Sequence, residues 1–150
     1  MINIITKTFD QLTTTELYAI LKLRSAVFVV EQDCVYQDVD DKDQKALHVI
    51  GKIEGDVVAY TRIFKPGDYF SEASVGRVVV KDTVRKDGLG ITIMNASIKV
   101  IEDDLQESMI HLSAQTYLKR FYNSLGFKEI GEEYLEDGIP HIGMLRTKSE

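Results

Sequence analysis

The chain has 150 residues, 44% of them hydrophobic and 28% charged, with a formal net charge of −6. That length suits one domain over residues 1–150 with its own core, and the acidic balance argues against general nucleic-acid binding, which needs a clustered basic excess. Cys34 is the only cysteine, so no internal disulfide forms, and no apolar run approaches the roughly 20 residues of a membrane span; the chain reads as soluble and cytoplasmic, with no membrane partner.

Ile2 and Ile4 alternate with polar residues and predict a short first strand over residues 2–9, without the unbroken apolar stretch of a signal peptide. Thr13 and Glu16 stand at capping-box spacing, and Leu17, Ile20, Leu21, Arg24, Val27 and Phe28 follow at helical spacing, predicting a helix to about Glu31. Residues 32–45 are acidic, with Asp33, Asp38, Asp40, Asp41 and Asp43, but Val35 and Tyr36 make them an ordered loop rather than a linker. Strand-like runs over 47–53 and 57–64 flank Gly55 and Asp56, which suit a tight hairpin turn. Pro66, Gly67 and Asp68 break the pattern before a valine-rich run over 73–80, the expected central strand.

Leu89, Ile93, Ala96, Val100 and Ile101 predict a second helix ending near Asp103. Residues 108–114 read as a strand, set parallel to the 73–80 run by a right-handed crossover through that helix. A third helix over 116–125 brings Tyr117, Leu118, Phe121 and Tyr122 to the sheet and stops at Gly126. Strands over 127–134 and 139–145 close around Asp137 and Gly138, a type I′ signal. The order gives an α/β fold, a mixed sheet flanked by helices.

The sharpest local feature is Arg85-Lys86-Asp87-Gly88-Leu89-Gly90, between the valine-rich strand and the second helix. Glycines at 88 and 90 let backbone N–H groups approach an anion, the helix N-terminus adds its dipole, and Arg85 adds a charged donor. Taken alone, the same glycines also serve as a helix-entry turn. Their spacing matches neither a Walker A loop nor the Rossmann fingerprint, which argues against ATP and NAD.

The strand, the Arg-x-x-Gly-x-Gly turn, the helix, the next strand ending in Ala114 and Gln115, and Phe121-Tyr122-x-x-x-Gly126-Phe127 together resemble the GNAT acetyltransferase family over nearly the whole chain. Val27-Phe28-Val29-Val30-Glu31-Gln32, Tyr36 with Asp38 and Asp40, and Glu136-Asp137-Gly138-Ile139-Pro140-His141 are similar to its ElaA-type branch. The resemblance implies the GNAT fold, with a central mixed, mostly antiparallel sheet. It also implies an enzyme that moves an acetyl group from acetyl-CoA directly to a primary amine of a small molecule or a protein, through a ternary complex. The main chain of Val78, Val79 and Val80 would pair with the pantetheine arm, and Arg85, Lys86, Gly88, Leu89 and Gly90 would wrap the pyrophosphate. Asp87 would be repelled there, so its side chain is expected to turn outward or cap the helix.

The resemblance also assigns Gln115, Phe121 and Tyr122 to the cofactor. Tyr122 is the implied acid for the departing thiolate, with packing of its ring against Phe121 and Leu125 as the other reading. The N–H of Val79 is the implied oxyanion donor. The acceptor wall takes in Phe28, Glu31, Gln32, Tyr36, Asp38 and Asp40, with Arg77 and His111 from the strands. An acidic wall attracts a cationic amine, and a solvated loop is the competing reading of the aspartates. Arg62 and Arg77 are expected to pair with these acids.

His48, His111 and His141 titrate near neutrality as a residue type, and scattered histidines are more often structural; His111, on the strand leading to the cleft, is the one of most interest. One cysteine and three separated histidines offer no zinc pair, and residues 38–43 lack the glycine and glutamate of an EF-hand loop, so no metal is expected. A homodimer is compatible with such a domain. The competing functional reading is a GNAT-like module that binds an acyl-CoA without transfer.

Overall fold

In the computed structural model, which describes residues 1–149, the strands are β1 (Asn3–Thr8), β2 (Leu47–Ile53), β3 (Asp56–Phe64), β4 (Ala73–Val80), β5 (Met109–Gln115), β6 (Lys128–Glu136) and β7 (Ile139–Thr147). They form one sheet in the order β1-β2-β3-β4-β5-β7-β6, so the valine-rich strand is the middle one. Every neighbouring pair is antiparallel except β4 and β5. The mixed, mostly antiparallel sheet expected from the sequence is thus the one observed. The β2–β3 turn falls at Glu54 and Gly55, both at positive φ, one residue earlier than expected, because Asp56 already pairs with Ile53.

Helix α1 (Thr14–Arg24) starts at the expected capping box: the Glu16 N–H donates to Thr13 Oγ1 at 3.0 Å, and the Thr13 N–H to Glu16 Oε1 at 2.9 Å. Such a cap stabilises a helix by about 1 kcal/mol. The helix continues to Glu31, but over Ser25–Glu31 it widens to i→i−5 bonding, with the Gln32 N–H on Val27 O and the Cys34 N–H on Val29 O. Ile20, Leu23 and Val27 pack on Ile50, Tyr60 and Val79, covering one face of the N-terminal half of the sheet. Helix α2 (Leu89–Lys99) and helix α3 (Lys119–Ser124) cover the other face. There Ile93, Met94 and Ile98 join Ile110, Leu112, Tyr122 and Met144 in the main core. No helix among the described residues is long and apolar enough to cross a membrane.

The acidic loop after α1 is not a solvated strip. Arg24 occupies the buried stripe of α1, with Nε 2.8 Å from Asp38 Oδ2 and Nη1 2.8 Å from Asp43 Oδ1. Arg62, buried on β3, donates from Nη1 to the same Asp43 oxygen at 2.8 Å and from Nη2 to Asp40 at 2.6 Å. Arg77 adds contacts to Asp38 at 2.7 Å and to Asp40 at 3.5 Å. Three guanidiniums thus balance three carboxylates, which lets Arg24, Arg62, Asp38 and Asp43 leave water while Arg77 and Asp40 stay partly exposed. His48 lies beneath, its ring nitrogens on Tyr60 Oη at 2.6 Å and Asp43 O at 2.9 Å; burial depresses its pKa and keeps it neutral.

Burial alone would raise the carboxyl pKa of Asp40 and Asp43, but the arginine hydrogen bonds win and hold both below the ordinary value of 3.8. Glu16, bonded by Lys7 and also by the Thr13 amide and Lys52, is held at about 2 instead of 4.5. Because these folded-state values lie below the unfolded ones, the stabilisation is complete above about pH 4.5 and is lost as pH falls toward 2. The melting temperature is therefore expected to be level near neutrality and to fall steeply below about pH 4.5. A scan level down to about pH 3 contradicts this.

Candidate active site

β4 and β5 pair only at Ala73 with Ile110 and at Ser74 with His111; beyond these two pairs the strands diverge. The wedge between them opens into a cleft of about 600 Å³, bordered by the end of the first helix, the start of α2, and Leu118, Phe121 and Tyr122. A bulge shapes its β4 wall. Tyr60 pairs with Val79 but Arg62 pairs with Gly76, so Arg77 and Val78 together face Thr61, and Arg77 takes a φ of +50°. Its guanidinium, anchored on the Asp38 carbonyl at 3.0 Å, lies 5.9 Å from the Tyr36 ring centroid.

The register decides which main-chain groups face the cleft. The Lys81 N–H donates to Val58 O at 2.7 Å, so Val80 opposite Ala59 points its polar groups away from β3 and Val79 opposite Tyr60 points them toward it. Arg85 confirms this, since its Nε donates to Val80 O at 3.0 Å. By the same alternation Val78 faces the cleft. The expectation that the Val79 N–H is the oxyanion donor is corrected: it is directed at the neighbouring strand, and its side chain packs under α1.

At the far end, residues Asp82–Asp87 form a 3-10 turn, and Gly88, at a φ of +71°, is the residue from which α2 starts. A left-handed φ costs a non-glycine residue about 1–2 kcal/mol, and open space surrounds this position. The first bond within α2 runs from the Thr92 N–H to Gly88 O, so the amides of Leu89, Gly90 and Ile91 have no helical acceptor. Gly90 sits at a close approach instead: a Cβ there would lie 3.3 Å from the Phe121 ring, which would have to give slightly. Arg85, Gly88 and Gly90 line the cleft; Lys86 and Asp87 are exposed outside it and Leu89 is buried. Asp87 makes no cap, so of its two expected roles only the outward one is observed.

Tyr122 lines the cleft, with Phe121 and Phe127 edge-on at ring-centroid distances of 5.1 and 6.1 Å. Burial pushes its hydroxyl pKa up. Gln115 Nε2 reaches Gln32 Oε1 across the wedge at 3.3 Å, and Arg85 holds the Glu31 carboxylate with both terminal nitrogens, one at 2.8 Å. That contact lowers the Glu31 pKa. Phe28, Glu31, Gln32, Tyr36 and Arg77 all line the cleft; burial, chiefly, pushes the Tyr36 phenol up to about 12.

Three residues expected on the acceptor wall do not reach this space, the first being Asp38, buried on Arg24 and Arg77. Asp40 is engaged by Arg62 and Arg77, behind the cleft wall. His111 stacks on Phe70 at 3.8 Å with Nδ1 3.1 Å from Glu72, and opens onto a separate groove with Tyr69 and Tyr134. It lies where β4 and β5 still touch, so the strand end that enters the cleft is the one bearing Ser113 and Gln115. The histidine in the cleft is His141, in company with Glu136, Asp137 and Cys34. Its pairing across β7 with Gln115 was the available signal, had the strand order been known.

Residues 12–148 match the family description "Acetyltransferase (GNAT) domain". The chain is 41% identical to the protein ElaA of Escherichia coli over 139 residues, 91% of each chain, and 40% identical to a UPF0039 protein of Schizosaccharomyces pombe over 92% of each. Among solved structures, an acyl-CoA N-acyltransferase from Pseudomonas aeruginosa superposes with a TM-score of 0.93 at 39% identity, covering 98% of this chain and 100% of that one. A wedge between two central parallel strands, a glycine turn at a helix start and these relatives agree: the chain belongs to the GNAT acetyltransferase family, in its ElaA-like branch.

Proposed function

We propose that this protein is an N-acetyltransferase that moves an acetyl group from acetyl-CoA directly to a primary amine of a small molecule or a protein, as a single domain over residues 1–150 acting in the cytoplasm. The observation that carries this reading is the β4–β5 wedge, where strand main chain, unbonded helix amides and a buried phenol meet in one cleft. The residues present fit coenzyme A. Val78 and Val80 offer main-chain groups to an extended arm as an added strand would, and the amides of Leu89, Gly90 and Ile91, with Arg85, suit a diphosphate. The similarity to the Pseudomonas acyl-CoA N-acyltransferase supports the same donor class.

Bound acetyl-CoA supplies an activated acyl carbon and a thiolate leaving group. The Val78 N–H, on the cleft side of β4, would donate a hydrogen bond to the acyl oxygen as negative charge develops there. The Tyr122 hydroxyl, kept protonated by burial, gives its proton to sulfur. Glu31, Gln32 and Tyr36 form the acceptor side.

The test is purified protein with acetyl-CoA and a panel of amines, monitored for free thiol. Release with at least one amine is expected. Tight binding without release from any amine favours the alternative, an acyl-CoA-binding module, and absence of binding by calorimetry ends both. Gly88→Val, strained at this φ, is expected to weaken acetyl-CoA binding about tenfold or more. Unchanged affinity contradicts the diphosphate assignment.

A further inference from the structure

We infer that His141 is the catalytic base that deprotonates the acceptor amine, with Glu136 as its positioning residue, an assignment that rests on the acyltransferase reading. His141 lies on β7 between Gln115 of β5 and Tyr134 of β6, is 7% exposed, and lines the same cleft as Tyr122 and Val78. Its Nδ1 is 2.7 Å from Ile139 O, a carbonyl that only accepts, so Nδ1 carries the proton. The lone pair of the neutral ring is therefore on Nε2. That atom is 3.5 Å from Glu136 Oε2, too far for a good direct hydrogen bond but close enough for the carboxylate to stabilise an imidazolium. Tyr134 lies nearly parallel to the ring at a centroid distance of 6.1 Å.

Most of the other ionisable groups facing this space are engaged elsewhere, and Tyr117 is largely exposed. Arg77 is tied to Asp38 and Arg85 to Glu31. The Tyr36 phenol donates to Asp38 and, at about 12, keeps its proton. The Cys34 thiol donates to Asp137 O at 3.3 Å, and the Asp137 carboxylate lies on the turn beyond Glu136. Glu136 has no ion pair other than His141 among the described residues.

His141 Nε2 takes one proton from the incoming ammonium and becomes imidazolium. The freed nitrogen lone pair forms the C–N bond as the C–S bond breaks, and Tyr122 protonates the sulfur. A second proton leaves the nitrogen and restores Tyr122, and His141 passes its own proton to solvent. One ammonium and one thioester thus give one amide, one thiol and one proton.

The experiment is the pH profile of kcat/KM with acetyl-CoA and an amine that releases thiol. The wild-type profile is expected to carry an acidic limb. In His141→Gln, kcat is expected to fall by about 10² or more, the limb to vanish and acetyl-CoA affinity to stay within about threefold; added imidazole should restore rate to His141→Ala. Glu136→Gln, at an exposed residue, is expected to lower kcat several-fold with acetyl-CoA affinity unchanged, and it decides the matter if the His141 variants do not fold. A limb that persists in His141→Gln, or an unchanged kcat in Glu136→Gln, overturns the assignment. Loss of acetyl-CoA binding by the wild-type protein sinks the acyltransferase reading itself, whereas intact binding with an unaltered pH profile sinks only the role of His141.

Discussion

Tyr122→Phe is expected to bind acetyl-CoA with nearly unchanged affinity and to turn over about 10²-fold more slowly. The ring is 6% exposed and packed edge-on against Phe121 and Phe127, so phenylalanine fills the same volume and removes the hydroxyl alone. Burial raises the phenol pKa, which keeps the proton available at neutral pH, where an acid for the leaving thiolate must hold it. Single-turnover rates at saturating acetyl-CoA, beside a calorimetric Kd, separate chemistry from binding. Full activity would reduce Tyr122 to a packing residue.

Asp43→Ala is expected to destabilise the fold by about 3–5 kcal/mol, a large share of the total for a domain of this size. The carboxylate accepts from Arg24 and Arg62, both at 2.8 Å, and these guanidiniums are 0% and 1% exposed. Removing the acid leaves two buried cations without the carboxylate they share. Chemical denaturation checks the magnitude, and a loss under about 1 kcal/mol would mean that Asp38 and Asp40 suffice. The pair between Arg85 and Glu31 is a useful contrast, because both partners are well exposed and such pairs contribute at most about 1 kcal/mol.

Periodicity and turn chemistry made most of the strands, all three helices and the parallel β4–β5 relation legible, because each burial face repeats locally. The phase of β4 was not. Val78, Val79 and Val80 are all apolar, so nothing in their alternation tells which amide faces the cleft, and the inserted residue at Arg77 shifts the answer by one. His111 and Gln115 share a face of β5, yet only Gln115 lies past the point where the strands part; that depends on Phe70 and on strand order, which are long-range facts. The buried aspartates follow no period either. Their one local sign was Arg24, a charge in the apolar stripe of a helix, which required acids from elsewhere in the chain. Widening of the helix over Ser25–Glu31 had no comparable sign in the residues themselves.

The brevity of the β4–β5 contact has a consequence for how the middle of the sheet tolerates an irregularity. An extra residue in a fully bonded strand would throw every later partner out of phase on both sides. Here the fault introduced at Arg77 and Val78 runs out into the gap, much as a dislocation ends at a free surface of a crystal. β5, β7 and β6 therefore keep their own alignment whatever the spacing in β4. The two halves of the molecule can be tuned separately at the one place where they must cooperate.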